Sequence, residues 1–84
     1  MTRILIADDQ SRFLDLLATL LSSRADFQVV ARAGEGDEAV RQAQKHHPDI
    51  CLLDIQMPGS NGLLALKKIK AEFPKLKALI LTTL

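Results

Sequence analysis

Four short apolar runs alternate with three stretches of helical spacing along this 84-residue chain, and that alternation leaves few folds open. Residues 3–7 (Arg-Ile-Leu-Ile-Ala) are rich in branched side chains and read as a buried strand. Phe13, Leu14, Leu17, Leu20 and Leu21 then recur at helical spacing, with Ser11 placed as the N-cap. Residues 27–33 form a second, less apolar strand, as an edge strand can be. Gly34 and Gly36 mark a turn. Asp37 caps a second helix that runs to about Lys45, with a thin apolar face of Ala39, Val40 and Ala43. His46-His47-Pro48 ends it, because proline disfavours helical geometry at the residue before it.

Residues 49–54 (Asp-Ile-Cys-Leu-Leu-Asp) are the third strand, an apolar run closed by a carboxylate. Met57-Pro58-Gly59-Ser60-Asn61-Gly62 is a loop by its composition. A helix from about Leu63 to Phe73 carries Leu63, Leu66, Ile69 and Phe73 on one side, and Pro74 closes it. Residues 77–82 form the fourth strand. The predicted order is βαβαβαβ. Strands joined by helical crossovers pair in parallel, with helices covering the faces. Right-handed crossovers reduce the choice to doubly wound α/β sheets.

Composition excludes several classes. No apolar run approaches the ~18 residues that span a bilayer, so a membrane role is not expected. The single cysteine, Cys51, has no internal disulfide partner and sits in an apolar run, as a buried thiol of a cytoplasmic protein would. The net charge is +1, Tyr and Trp are absent, and no basic cluster is interleaved with aromatics. This segment therefore offers no nucleic-acid surface of its own.

In doubly wound sheets, ligands bind beyond the carboxyl ends of the strands. That rule gathers Asp8 and Asp9 after strand one, Asp54 at the end of strand three and Thr82 at the end of strand four. Three like charges brought together raise the cost of ionising one another, and a divalent cation relieves it. An oxygen-only ligand set without His or Cys suits a hard ion, Mg2+ rather than Zn2+. A carboxylate beside such an ion can act as a nucleophile toward phosphorus. The Thr82 hydroxyl could then donate to a phosphoryl oxygen, and Thr83 beside it offers the same group. Asp8-Asp9 taken alone would serve equally as an acidic pair at a helix N-terminus.

Ile4-Leu5-Ile6-Ala7-Asp8-Asp9, Leu52-Leu53-Asp54-Ile55-Gln56-Met57-Pro58, Asn61-Gly62 and Leu79-Ile80-Leu81-Thr82 occur in this order, most of them at strand ends. Together they resemble the receiver domains of bacterial two-component response regulators, and the resemblance covers the whole chain. The first strand and the interval from Asp54 to Thr82 look most like the NarL/FixJ subfamily. The resemblance implies a flavodoxin-like sheet of order 2-1-3-4-5, of which residues 1–84 supply the first four strands. It implies phosphorylation of Asp54 by a sensor histidine kinase. It makes Asp9 a direct Mg2+ ligand, Asp8 a ligand acting mostly through water, and the Gln56 backbone carbonyl the third protein ligand. Thr82 becomes the switch hydroxyl. Such a domain accepts a phosphoryl group and assists its own transfer without being a turnover enzyme. DNA would be reached only through an effector domain absent from this chain.

The sequence departs from the family pattern at its C-terminal end. The lysine that closes strand five in the family has no counterpart here, since Lys75 and Lys77 precede strand four. Strand four becomes an apolar edge, so a homo-oligomer through that strand, or through exchange of an element, is expected. A rival reading is a non-signalling fragment that serves only as a structural or oligomerisation unit. A phosphohydrolase with an aspartyl nucleophile fits less well, because Gln56 stands where its second acid would be. His46 and His47 read as a polar helix end, Met57 as packing, and Lys67, Lys68 and Lys70 as a solvated helix face.

Overall fold

The computed structural model describes residues 1–54, 57 and 62–81. Its elements run β1 (Thr2–Ala7), α1 (Ser11–Ser22), β2 (Phe27–Ala33), α2 (Gly36–His46), β3 (Ile50–Asp54), α3 (Gly62–Glu72) and β4 (Lys77–Leu81). The four strands form one parallel sheet in the order β2-β1-β3-β4. The doubly wound architecture expected from the apolar alternation is the one observed.

Side chains alternate across the sheet and divide the core in two. Leu5, Ala7, Cys51 and Leu53 face one side and pack with Ala39 and Ala43 of α2 and Ile69 of α3. Ile4 and Ile6 face the other side and pack with Leu14 and Ala18 of α1, with Leu52 partly buried beside them. Two helices thus cover one face and α1 covers the other. Register fixes where the strands end: Ala7 pairs with Leu53, and Asp54 pairs with Leu81.

The amino edge is clasped through Arg3 and Asp49. The Arg3 N–H donates to Asp49 Oδ2 at 2.8 Å, and the Asp49 N–H donates to the Arg3 carbonyl at 2.8 Å. The Lys77 N–H donates to the Asp49 carbonyl at 3.1 Å, which brings β4 into the same clasp. β3 starts at Ile50 rather than at 49, with Asp49 tied to both neighbouring strands at its entry. His47 has φ 47° at the C-cap of α2, a left-handed stop immediately before Pro48.

Other expectations require correction. Ser11 is the first residue of α1 rather than its cap. Gln10 holds the cap position without a side-chain hydrogen bond, and its carbonyl already accepts the Leu14 N–H. Asp37 likewise lies inside the first turn of α2. Glu35 is the N-cap, because its carbonyl accepts the Ala39 N–H. Leu20 and Leu63, assigned to apolar helix faces, are 58% and 47% exposed. Ala18 and Ala65 occupy the buried positions there instead. β2 carries a register shift opposite Ile4/Leu5, so Val30 and Ala31 both pack toward α2.

Candidate functional site

The site stands at the carboxyl edge of the two central strands. β1 ends at Ala7, and the chain passes through Asp8 and Asp9 before α1 begins. The Asp8 N–H donates to the Ala33 carbonyl at 3.0 Å, which holds this turn against the end of β2. Asp54 is the last residue of the adjacent β3. Ladder pairing of Ala7 with Leu53 therefore brings carboxylates from distant parts of the chain together. Asp8, Asp9 and Asp54 each offer an oxygen, and these oxygens all lie within 4.8 Å of one another. Asp8 and Asp54 are buried, whereas Asp9 is exposed.

One oxygen of Asp8 is satisfied and the other is not. Oδ1 accepts the Gln10 N–H at 2.9 Å. Oδ2 is buried without a hydrogen-bond partner among the described residues. Burial pushes the Asp8 carboxyl above the usual range, and Asp54 and Asp9 push it further, while the Gln10 N–H pulls it back. A buried, unpartnered carboxylate oxygen beside two further carboxylates is costly as an ionised group. A cation placed among the three would satisfy Oδ2 and offset the repulsion. The all-oxygen donor set fits a hard divalent ion such as Mg2+.

The structure thus brings together the three expected acidic residues. The expected contributions of Gln56 and Thr82, and the loop positions Pro58 and Asn61, lie outside the described residues. Met57 is buried among the residues that face α2 and α3, consistent with packing. Lys77 starts β4 opposite Ile50, at the amino edge. The Gln10 N–H contact was missed in the sequence reading, although an Asp followed two residues later by a free N–H is a recurrent local bond.

The remaining reactive side chains lie away from this cluster. Cys51 is buried, and burial pushes its thiol up to about 12, so it stays protonated and inert. His47 sits at the amino edge, where its ring meets Phe73 at 5.0 Å and its carbonyl accepts from Arg3. A shallow apolar depression lies beside it, lined in part by Pro48, Phe73 and Leu76. Asp49 and Glu72 on its rim are held by Arg3 and Gln44.

Comparison with known proteins gives this geometry a family. Residues 4–84 match the family model described as the response regulator receiver domain. The chain belongs to that family. It is 45% identical over 83 residues to the transcriptional regulatory protein LnrK of Bacillus subtilis, covering 99% of this chain and 38% of that protein. It therefore spans well under half of that relative's length. Among solved structures it is similar to a LuxR-family DNA-binding response regulator from Staphylococcus aureus, with TM-score 0.91 and 31% identity over 100% of this chain and 70% of that one. It is also similar to a CheX-CheY-BeF3-Mg+2 complex from Borrelia burgdorferi, with TM-score 0.92 and 28% identity over 99% of this chain and 63% of that one. Among the described residues, no helix is long and apolar enough to cross a membrane.

Proposed function

We propose that this chain is the phospho-acceptor module of a two-component response regulator and that Asp54 takes the phosphoryl group. The observation that carries the reading is the convergence of Asp8, Asp9 and Asp54 within 4.8 Å around a buried, partnerless Asp8 Oδ2. An Asp54 oxygen forms a bond to phosphorus while the bond to the donor's histidine nitrogen breaks. That nitrogen keeps the electron pair. The chain is an acceptor that assists this transfer, not a turnover catalyst.

Asp8, Asp9, Asp54 and the backbone carbonyl of Gln56 would hold Mg2+. When bound, the ion offsets the charge of the carboxylates and of the incoming phosphoryl oxygens. Thr82 would supply the hydroxyl that donates to a phosphoryl oxygen. The new group adds about −1.5 to −2 charges and biases a two-state equilibrium. The donor would be a cytoplasmic sensor histidine kinase. In a longer parent protein the output would be control of DNA binding and transcription, as the names of LnrK and the LuxR-family regulator suggest. Self-association through the open side of β4, or by exchange of an element, is part of the same proposal. It is favoured by the 58% exposure of Leu79.

The test is acetyl phosphate with Mg2+, read by intact mass. The chain should gain one phosphoryl group, and Asp54→Asn should gain none while melting like the parent. Labelling of that variant would move the acceptor to Asp8 or Asp9. In the same samples, Asp9→Ala should weaken Mg2+ binding by about ten-fold or more, equivalent to ~1.4 kcal/mol. Absence of any Mg2+-dependent amide shifts near these residues would remove the metal from the reading and favour a purely structural fragment.

A further inference from the structure

The open side of β4 can pair in only one symmetric register. The Lys77 N–H donates to the Asp49 carbonyl, so Lys77, Leu79 and Leu81 turn their backbone groups toward β3. Ala78 and Ile80, between them, turn theirs to the open side. Leu76 cannot extend that row, because its N–H donates to the Phe73 carbonyl and its carbonyl accepts Lys70 Nζ.

A second copy related by a two-fold axis meets this edge antiparallel, and the same face of the sheet continues across both copies. With Leu79 opposite its own counterpart, Ala78 of each copy stands opposite Ile80 of the other, and these pairs exchange both backbone bonds. An axis at Ala78 would instead set Ile80 against Leu76, whose groups are taken. An axis at Ile80 would leave Ala78 without a partner inside Lys77–Leu81. The Leu79 register also brings together two side chains that are each 58% exposed in the single chain.

That register carries a charge to the acidic site. It sets Lys77 of the second copy opposite Leu81, and Leu81 pairs with Asp54. Ala78 packs toward α2 and α3, so Lys77, Leu79 and Leu81 face the side that α1 covers. Leu52 packs with the cluster under α1, and Asp54, two residues on, shares that face. Lys77 of the second copy therefore stands two strand spacings from Asp54, about 10 Å between Cα atoms, on the same face. In its own copy Lys77 opens β4 at the amino edge, exposed and without an ion-pair partner among the described residues.

We infer that the chain acts as a symmetric β4–β4 dimer in which Lys77 of each copy reaches the Asp54 site of the other and binds the phosphoryl group there. This rests on reading Asp54 as the acceptor. Phosphoryl oxygens brought among three carboxylates need positive charge, and an ammonium on a flexible stem supplies it across that span. With acetyl phosphate, the Asp54 oxygen bonds to phosphorus, the phosphorus–oxygen bond to the acetyl group breaks, and acetate leaves with the electron pair. Lys77 contacts only phosphoryl oxygens and exchanges no proton.

The experiment labels the 84-residue chain with acetyl phosphate and Mg2+, reads each chain by intact mass and follows association by sedimentation. Lys77→Gln should associate like the parent and label about ten-fold more slowly. Asp54→Asn takes no phosphoryl group but still carries Lys77. Mixed in excess with Lys77→Gln, it should restore most of the parent's rate to the Lys77→Gln chain. A lysine acting within its own chain, or through the fold alone, gives no such rescue. Leu79→Cys should cross-link between copies in oxidised glutathione, because the two Cα atoms lie about 4.5 Å apart in this register. Ile80→Cys, opposite Ala78, should not. A parent chain that stays monomeric, Lys77→Gln labelled at the parent's rate, or no rescue by Asp54→Asn would each overturn the inference and leave Asp54 as the acceptor. A parent chain that binds Mg2+ but takes up no phosphoryl group would overturn the acceptor reading, and the role of Lys77 with it.

Discussion

Asp8 and Asp54 place carboxylate oxygens within 4.8 Å of each other while each residue is only 2% exposed. Their proximity makes a specific demand on pH. The Asp8 carboxyl is held above its ordinary value near 3.8, first by burial and then by Asp54 and Asp9. Between the ordinary and the raised value the folded chain keeps a proton that the unfolded chain has released. Stability contributed by this group is therefore lost as pH rises through that window. In metal-free buffer, Asp8→Asn should melt higher than the parent at about pH 7 and lose that advantage below about pH 3.5. The amide keeps an oxygen for the Gln10 N–H. A difference of ~1 kcal/mol would move the midpoint by about 4–8 °C in a domain of this size. Added Mg2+ should raise the parent's midpoint more than the variant's. A variant that melts lower than the parent at every pH would show that the charged Asp8 stabilises the fold rather than straining it.

The sequence was legible where the physics is local and misleading where it is not. A strand run leading into Asp8-Asp9 and another ending in Asp54 announced both the sheet and the acidic edge, because parallel neighbours must finish together. Helical periodicity did not separate the core side of α1 from its flank. Leu14 and Leu20 lie on the same predicted stripe, yet one is 7% and the other 58% exposed. That distinction depends on what covers the sheet, which no helix encodes by itself. Cap positions failed for a related reason. Whether Ser11 or Gln10 caps α1 is decided by which carbonyl first accepts a helical N–H, and the Asp8 carboxylate already engages the Gln10 N–H. The Arg3–Asp49 clasp and the bulge in β2 are long-range pairings that no window of sequence contains.

The close seating of α2 gives a second prediction. Ala39 and Ala43 are fully buried, and α2 packs on both the sheet and α3. Small residues are required there because any larger side chain must displace β-sheet or α3 atoms. Ala43→Leu should destabilise the fold by ~1–3 kcal/mol through overpacking. Leu53→Ala, at a buried centre-strand position, should cost about 2–5 kcal/mol through a cavity. Urea denaturation reads both, with the slope unchanged if the folded state survives. A neutral Ala43→Leu would mean that α2 moves away from the sheet at little cost.

The last prediction concerns the edge of the sheet at β4. Ala78 packs toward α2 and α3, so Leu79 faces the side covered by α1. It pairs with Leu52, but α1 lies over β1 and β2 and leaves Leu79 58% exposed. Leu16 and Leu20 of α1, 57% and 58% exposed, add apolar surface to the helix that covers this face. Each fully exposed leucine forgoes roughly 1.5–3 kcal/mol of burial. One side of β4 also presents unpaired backbone groups among the described residues, and such an edge pairs with another strand unless something blocks it. A second copy of the chain supplies both the strand and the apolar cover. The 84-residue polypeptide should therefore sediment as a dimer or larger species at low micromolar concentration. Leu79→Lys, which places a charge on the exposed edge without touching a buried position, should weaken that association by at least about ten-fold, or ~1.4 kcal/mol. The variant's helical and strand signals should match the parent's. A parent chain that sediments as a monomer and unfolds cooperatively would show that four strands and three helices are sufficient alone, and that the open edge of β4 needs no partner.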